Sequence, residues 1–212
     1  MKKTVLFSAL ILPVFLLAGC GTSGSNTPAS SANASASATS ATSSKTASSN
    51  SNTSGTSSSV AKASFTLTIQ TGKMDGKSGW PRFVPANLTL PANADVTLTI
   101  NSYDDGNAPI PTGFNQVKGT VGGSMTLDGK SVTSIPVKDV AHTMTIPSIG
   151  LNIPIAVKTS TEKFSSTTFT FHTPSSPTKL DWQCMTACGT GNDGMGGPMV
   201  TDGWMKGVFT VK

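Results

Sequence analysis

The chain has 212 residues, of which only 12% are charged, and its formal net charge at pH 7 is +5. The basic residues form no cluster, so this weak positive charge does not indicate a nucleic-acid partner. The sequence also contains no Ser-His-Asp order and no paired catalytic carboxylates, and we therefore do not expect an enzyme.

The first 19 residues are predicted to be a secretion signal. Lys2 and Lys3 provide a basic start, and the apolar run Val5–Leu17 is shorter than the roughly 20 residues of a transmembrane helix. The run ends in Leu-Ala-Gly-Cys20, which resembles the lipobox of bacterial lipoproteins. This resemblance implies that Cys20 carries diacylglycerol and anchors the protein to the cell membrane on its extracytoplasmic side. The alternative is an ordinary leader with a buried cysteine.

A low-complexity segment follows the leader. Residues 21–62 contain no Phe, Trp, Tyr, Leu, Ile or Met and consist mostly of Ser, Thr, Ala, Asn and Gly. Such a segment cannot bury enough apolar surface to compensate for the conformational entropy lost on ordering. We therefore predict that residues 20–62 are a lipidated cysteine with a disordered tether, and that residues 63–212 are one folded domain.

The pattern of the predicted domain is that of β-strands. Segments 64–70, 95–101, 167–172 and 207–212 alternate apolar and polar residues, and Gly, Pro and Asn turn signals separate them. No segment shows a sustained 3.6-residue apolar period. Residues 104–135 are rich in Gly, Asp and Ser, and we predict an insertion or hairpin there rather than core. The sequence predicts an all-β domain built as an antiparallel β-sandwich.

The candidate functional residues are two cysteines and a histidine. Cys184 and Cys188 are the only cysteines of the predicted folded domain, and they lie in a glycine-rich loop with several methionines nearby; His142 precedes a β-rich run upstream. Thiolate, thioether and imidazole form a soft ligand set that suits copper better than calcium or magnesium. Structural zinc usually has four Cys or His ligands and is less suitable. The alternative is a Cys184–Cys188 disulfide, because exported proteins readily form them.

Three motifs resemble a known copper domain. Asp-Val-Ala-His142-Thr-Met and Cys184-Met-Thr-Ala-Cys188-Gly resemble ligand segments of the CuA domain of cytochrome c oxidase subunit II, which belongs to the cupredoxin superfamily. Met205-Lys-Gly-Val-Phe-Thr-Val is similar to the Met-x-Gly and final strand of that domain. The resemblance covers most of residues 64–212. It implies a cupredoxin-like Greek-key β-sandwich that binds copper through His142, Cys184, Cys188 and Met205.

One position departs from the family pattern. The family has a second histidine ligand four residues after the second cysteine, and this chain has Asn192 there. The departure favours a mononuclear copper site over the dinuclear CuA centre. Met195 is the alternative to Met205 as the methionine ligand. His172, at the end of an alternating strand, is a candidate replacement for the missing histidine, although a solvent-facing role is more usual at such a position.

The resemblance implies single-electron transfer. We predict a lipid-anchored, monomeric cupredoxin that exchanges electrons with a membrane-bound or soluble partner such as a respiratory oxidase or cytochrome. Trp182 and Trp204, which flank the ligand loop, are predicted to pack over it, exclude water and contribute to an apolar docking end. A second hypothesis is an envelope protein that buffers or delivers copper without transferring electrons. A third is a metal-free adhesion module with a Cys184–Cys188 disulfide.

Overall fold

Eleven β-strands make up the fold of residues 59–212, the part of the chain that the computed structural model describes. The predicted signal peptide, Cys20 and most of the predicted tether lie outside the described residues. Within residues 59–212, no helix is long and apolar enough to cross a membrane. The strands are β1 (Ala61–Gln70), β2 (Arg82–Val84), β3 (Leu88–Leu90), β4 (Ala94–Ser102), β5 (Met125–Leu127), β6 (Lys130–Val132), β7 (Val140–Ile146), β8 (Leu151–Ala156), β9 (Ser165–His172), β10 (Thr178–Gln183) and β11 (Lys206–Val211). Single-turn 3-10 helices occur at Val137–Asp139, Pro147–Ile149 and Gly197–Met199.

The strands form two sheets whose buried apolar residues belong to one core. One sheet has the order β2-β1-β4-β9-β5-β6, and the other has the order β3-β11-β10-β7-β8. The predicted all-β sandwich is thus confirmed, but both sheets are mixed rather than antiparallel. β1 runs parallel to β4, and β3 runs parallel to β11. Between β1 and β4 the chain passes through β3 of the other sheet, and such a long connection allows neighbouring strands to run in the same direction.

The alternating segments of the sequence correspond to β1, β4, β9 and β11. In β4, for example, Val96, Leu98 and Ile100 are fully buried, whereas the residues between them are half-buried. β1 begins slightly upstream of the predicted domain start at residue 63, because its parallel ladder with β4 starts at the pair Ala61–Ala94. β7 and β8 are buried along their whole length, so the polar residues that alternate with apolar ones there, Thr143, Thr145 and Asn152, are buried as well.

Residues 104–135 differ in part from the prediction. They contain the hairpin β5–β6, but Met125 and Ile135 are buried in the core. The carbonyl of Phe114 accepts a hydrogen bond of 2.9 Å from the side chain of Asn152 on β8. The Gly, Asp and Ser content of this segment reflects its turns, while a few apolar residues between the turns attach it to the sandwich. The prediction that the whole segment lies outside the core is therefore wrong.

The two tryptophans that flank the ligand loop have different environments. Trp182 is 1% exposed, and its ring lies edge-on to Phe83 with centroids 4.7 Å apart. Trp182 thus belongs to the core of the sandwich, because its place on β10 directs it inward with the other buried residues of that strand. Trp204 is half-buried and lies edge-on to Trp80 at 5.1 Å, with the Lys77 ammonium 3.1 Å from the Trp80 ring centre.

Candidate metal centre

The side chains of His142, Cys184 and Cys188 meet at one end of the five-stranded sheet. Their ligand atoms all lie within 4.8 Å of one another. Nδ1 of His142 is 3.0 Å from Sγ of Cys188, and the two sulfurs are 3.8 Å apart. This separation exceeds the roughly 2.05 Å of a disulfide bond, and both cysteines are free thiols. Three residues that are distant in sequence therefore form one soft donor cluster.

The sheet brings these residues together. His142 lies on β7 directly after a shift in register with β8, the kind of irregularity that re-aims a side chain. β10 pairs with β7 through Gln183 and Thr145, so the residue after β10, Cys184, emerges beside the histidine strand. The backbone N–H of Thr143 donates to Sγ of Cys184 at 3.4 Å. Strand pairing therefore sets the distance between imidazole and thiol.

Thr186 is a site residue that sequence reasoning missed. Its hydroxyl oxygen lies 2.9 Å from Sγ of Cys184 and 2.7 Å from Sγ of Cys188, and it donates to the carbonyl of Ala141 at 3.1 Å. Thr186 is fully buried, so these contacts are shielded from water. The hydroxyl therefore holds both sulfurs against β7. Its place between the two cysteines in sequence was the available signal.

The glycine-rich loop after Cys188 folds back on itself. The N–H of Gly189 donates to the carbonyl of Gly194 at 2.7 Å, and a Cβ on Gly189 would overlap the carbonyl oxygen of Gly196. The loop can therefore approach itself this closely only because Gly189 has no side chain. Asn192 lies exposed in the same loop.

A Gly189→Ala substitution is expected to lower the free energy of unfolding of the metal-free protein by about 1–3 kcal/mol, because the loop backbone must shift to admit a methyl group. Urea denaturation followed by circular dichroism measures this loss. Asn192→Ala, at an exposed position of the same loop, serves as the control and is expected to change stability by less than about 0.5 kcal/mol. Equal effects of the two substitutions would contradict the close packing at Gly189.

The methionines differ in how they approach the cluster. Met205 is fully buried, and its carbonyl accepts the N–H of Cys184 at 2.9 Å. Met199 is also fully buried, and its side chain packs against Gly189: a methyl group added to this glycine would lie only 2.8 Å from Cγ of Met199. Met195 is only half-buried. These positions favour Met205 over Met195 as a thioether donor and add Met199 as a buried neighbour of the loop; the ligand role of Met205 itself stays a prediction.

His172 and Asn192, the residue at the position of the missing histidine, are both exposed. His172 is exposed and bonds to Asp95 at 2.9 Å, near the start of β4. The cluster lies beyond the other end of β4, and a strand of nine residues spans about 26 Å. His172 is thus a surface residue, the more usual role for such a position. Asn192 is exposed, so the structure offers no buried group at the family's second-histidine position.

Asp104 is the second site residue that sequence reasoning missed. Its Oδ2 lies 3.0 Å from Nε2 of His142, whose side chain is only 2% exposed. Asp104 follows β4 in the other sheet, within the segment that the sequence marked only as an insertion. The only available signal was an acidic residue just after the end of an alternating strand. Nothing in the spacing to His142 connects the two residues.

The groups of the cluster shift one another's pKa values. Burial opposes a charged imidazole, but the hydrogen bond to Asp104 and the interaction with Cys184 outweigh it and raise the pKa of His142 to about 9. Burial likewise opposes a thiolate at Cys184, yet hydrogen bonds from Cys188 and His142 hold its pKa well below the usual value. The hydrogen bond to Cys184 and burial raise the pKa of Cys188. Their mutual hydrogen bond thus lowers the pKa of Cys184 and raises the pKa of Cys188.

The donor set fits copper. Two sulfurs and one imidazole nitrogen lie within 4.8 Å of one another, and thioether side chains are buried close by. Such soft donors favour copper over the hard cations that carboxylates and carbonyls select. A cleft of about 300 Å³, lined by Asp104, His142, Cys188 and Gly189 among others, reaches the cluster from the surface. A metal ion therefore has a route to His142 and Cys188.

Comparisons with known proteins give structural likeness only. A scan of protein-family models and a search of curated proteins found no match. The chain is similar to reduced rusticyanin at 16% identity and a TM-score of 0.38, over 73% of this chain and 81% of that one. It is similar to auracyanin B at 17% identity and a TM-score of 0.32, over 71% and 88% of the two chains. A multicopper oxidase from Campylobacter jejuni is similar at 12% identity and a TM-score of 0.36, over 73% of this chain and 31% of the oxidase. Likeness at this level carries no argument about the site, so its chemistry rests on the geometry of this chain.

Proposed function

We propose that this protein binds copper through His142, Cys184 and Cys188, with Met205 as a weak further donor, and transfers single electrons. The observation that carries the proposal is the meeting of one imidazole nitrogen and two cysteine sulfurs within 4.8 Å at the end of a rigid sheet. Thiolate and imidazole are ligands that both oxidation states of copper accept. A site with these donors can therefore cycle between Cu(I) and Cu(II).

Electron transfer is favoured over simple storage because the donors are held rigidly. Cys184 is fully buried and is fixed through its own N–H, through its sulfur and through the hydroxyl of Thr186. His142 is buried on a strand and is hydrogen-bonded on both ring nitrogens. Donors that move little between oxidation states reduce the structural rearrangement that accompanies each transfer. These restraints support a redox role.

The nuclearity follows from the missing histidine. A dinuclear CuA centre requires an imidazole where this chain has Asn192, and that residue is exposed. His172 is bonded to Asp95 on the surface and does not supply the missing donor. We therefore favour a mononuclear site. The protein would be a relative of the CuA domain within the cupredoxin superfamily, with the second histidine ligand replaced.

The location and partners are proposed from the sequence. The lipobox-like motif at Cys20 supports a lipid anchor on the extracytoplasmic side of the cell membrane, and residues 20–62 would act as the tether. A tethered, monomeric electron carrier would exchange electrons with a membrane-bound oxidase or with a cytochrome.

A Cys20→Ser variant is expected to be released from the membrane fraction, and an immunoblot of fractionated cells measures this. A variant that stayed membrane-bound would contradict lipidation as the anchor.

Copper delivery is the second candidate, and one observation favours it. The cleft of about 300 Å³ leads to Cys188, which is not fully buried. An accessible thiol allows an external acceptor to approach a bound metal ion. A protein with this function would hold copper as colourless Cu(I) and pass it to a metal-free acceptor.

The visible absorption and electron paramagnetic resonance spectra of the copper-loaded full-length chain test these alternatives. A mononuclear thiolate site is expected to give an intense visible charge-transfer band and a four-line copper signal. A seven-line signal would show a mixed-valence copper pair and contradict the mononuclear assignment. Bound copper without colour would support delivery. If no copper bound at all, a disulfide between Cys184 and Cys188, detected by mass spectrometry, would support the metal-free module.

A further inference from the structure

The imidazole of His142 has a defined partner on each nitrogen. Nδ1 faces Sγ of Cys188 at 3.0 Å, and Nε2 faces Oδ2 of Asp104 at 3.0 Å. Rotating the ring by half a turn would remove both contacts, because a ring carbon would then stand where each nitrogen is now. Because an ionised carboxylate can only accept hydrogen bonds, Nε2 must be the donor in this contact and carries the hydrogen. Nδ1 is then the nitrogen directed at the sulfurs.

The carboxylate of Asp104 is itself held in place. Its Oδ1 accepts the backbone N–H of Gly106 at 2.9 Å, which leaves Oδ2 for the imidazole. Its backbone carbonyl accepts the N–H of Lys158 at 2.9 Å. The same turn is anchored further along, where the side-chain amide of Asn107 donates to the carbonyl of Lys138 at 2.6 Å. The carboxylate therefore meets His142 in a position that its own turn enforces.

Asp104 acts through the histidine rather than on the metal directly. It does not belong to the group of donors that lie within 4.8 Å of one another. Its contact is with Nε2, on the side of the ring away from Nδ1. The contact also joins the two sheets, because Asp104 follows β4 and His142 lies on β7. The arrangement matches the general pattern in which a carboxylate orients a metal-binding histidine and increases its basicity.

We propose that Asp104 is a positioning residue, which presents Nδ1 of His142 to the metal and increases electron donation by the imidazole. This inference rests on the proposed copper site. It has two separable parts. The hydrogen bond orients the ring, and the negative charge makes the imidazole a stronger donor, which favours Cu(II) over Cu(I).

Two substitutions separate these parts. Asp104→Asn keeps an oxygen that can accept the Nε2 hydrogen but removes the charge, so the visible spectrum is expected to persist while the reduction potential rises. Asp104→Ala removes both, and the affinity for copper is expected to fall by about 10- to 100-fold. The control is Asp105→Asn, which removes the same charge from the neighbouring exposed position and is expected to leave affinity and potential unchanged.

The measurements are copper affinity by competition with a chelator, reduction potential by spectroelectrochemical titration, and folding by circular dichroism, all on the full-length chain. A raised potential in Asp104→Asn and weaker binding in Asp104→Ala, both in folded protein, would support the proposal. Wild-type affinity and potential in both Asp104 variants would overturn it while leaving the copper site intact. If Asp105→Asn shifted the potential as much as Asp104→Asn, charge near the site rather than positioning would be responsible, and the proposal would fail. A wild-type protein that bound no copper would overturn both this inference and the proposed function.

Discussion

Replacing Cys184 with serine is expected to abolish the visible thiolate band of the copper-loaded protein and to weaken copper binding by at least about 100-fold. Loss of a residue that only hydrogen-bonds to a metal ligand typically weakens binding by about 10- to 100-fold, and loss of the ligand itself is expected to cost more. Cys184 is the fully buried thiol of the cluster, and hydrogen bonds from Cys188 and His142 hold its pKa well below the usual value. A serine hydroxyl is a hard donor and does not ionise at neutral pH. Absorption spectroscopy and competition with a chelator measure the two effects.

The same substitution at Cys20 provides the matched control. Cys20 lies outside the described residues and is not predicted to bind metal. Cys20→Ser is therefore expected to keep both the band and the affinity of the wild-type protein. Circular dichroism must show that Cys184→Ser is folded. A folded Cys184→Ser variant that retained the full visible band would contradict the assignment of this thiol as a ligand.

Replacing Trp182 with alanine is expected to lower the free energy of unfolding by about 3–5 kcal/mol, the range for large aromatic residues in cores. The ring is 1% exposed and lies edge-on to Phe83. Its Nε1–H also donates to the carbonyl of Ala86 at 2.8 Å, so the substitution leaves that carbonyl without its partner. Urea denaturation of the metal-free protein measures the loss, which corresponds to a fall in melting temperature on the order of 10 °C.

Trp204→Ala is the control for Trp182→Ala. Trp204 is half-buried and has Trp80 as its aromatic neighbour. Its replacement is expected to cost only about 1–2 kcal/mol, because less apolar surface leaves water when this ring packs. A loss for Trp204→Ala equal to that for Trp182→Ala would contradict the assignment of Trp182 as the core tryptophan.

Local patterns in the sequence were enough to identify the strands that bury one face and the residues with soft donor atoms. In β4, alternation reports burial directly, because each second side chain of a strand points to the same face. His142, Cys184 and Cys188 were recognisable because soft donors are chemically distinctive and because their motifs resemble those of a copper domain. Chemistry carried by single residues can be recognised without knowing the fold.

Two features of the fold depended on contacts that no local pattern reports. The parallel pairs β1–β4 and β3–β11 arise because the chain passes between the sheets, and alternation alone does not reveal the direction of a neighbouring strand. Trp182 lies in the core rather than over the loop, because strand pairing determined where its side chain points.

The sequence by itself determined that this chain contains an all-β domain with a His-Cys-Cys donor set. Only the tertiary structure decided which groups surround those donors. Asp104 and His142 are 38 positions apart and lie on different sheets, yet they form a 3.0 Å hydrogen bond. A contact between sheets depends on how two whole layers pack, and that packing is a property of the complete core rather than of either segment.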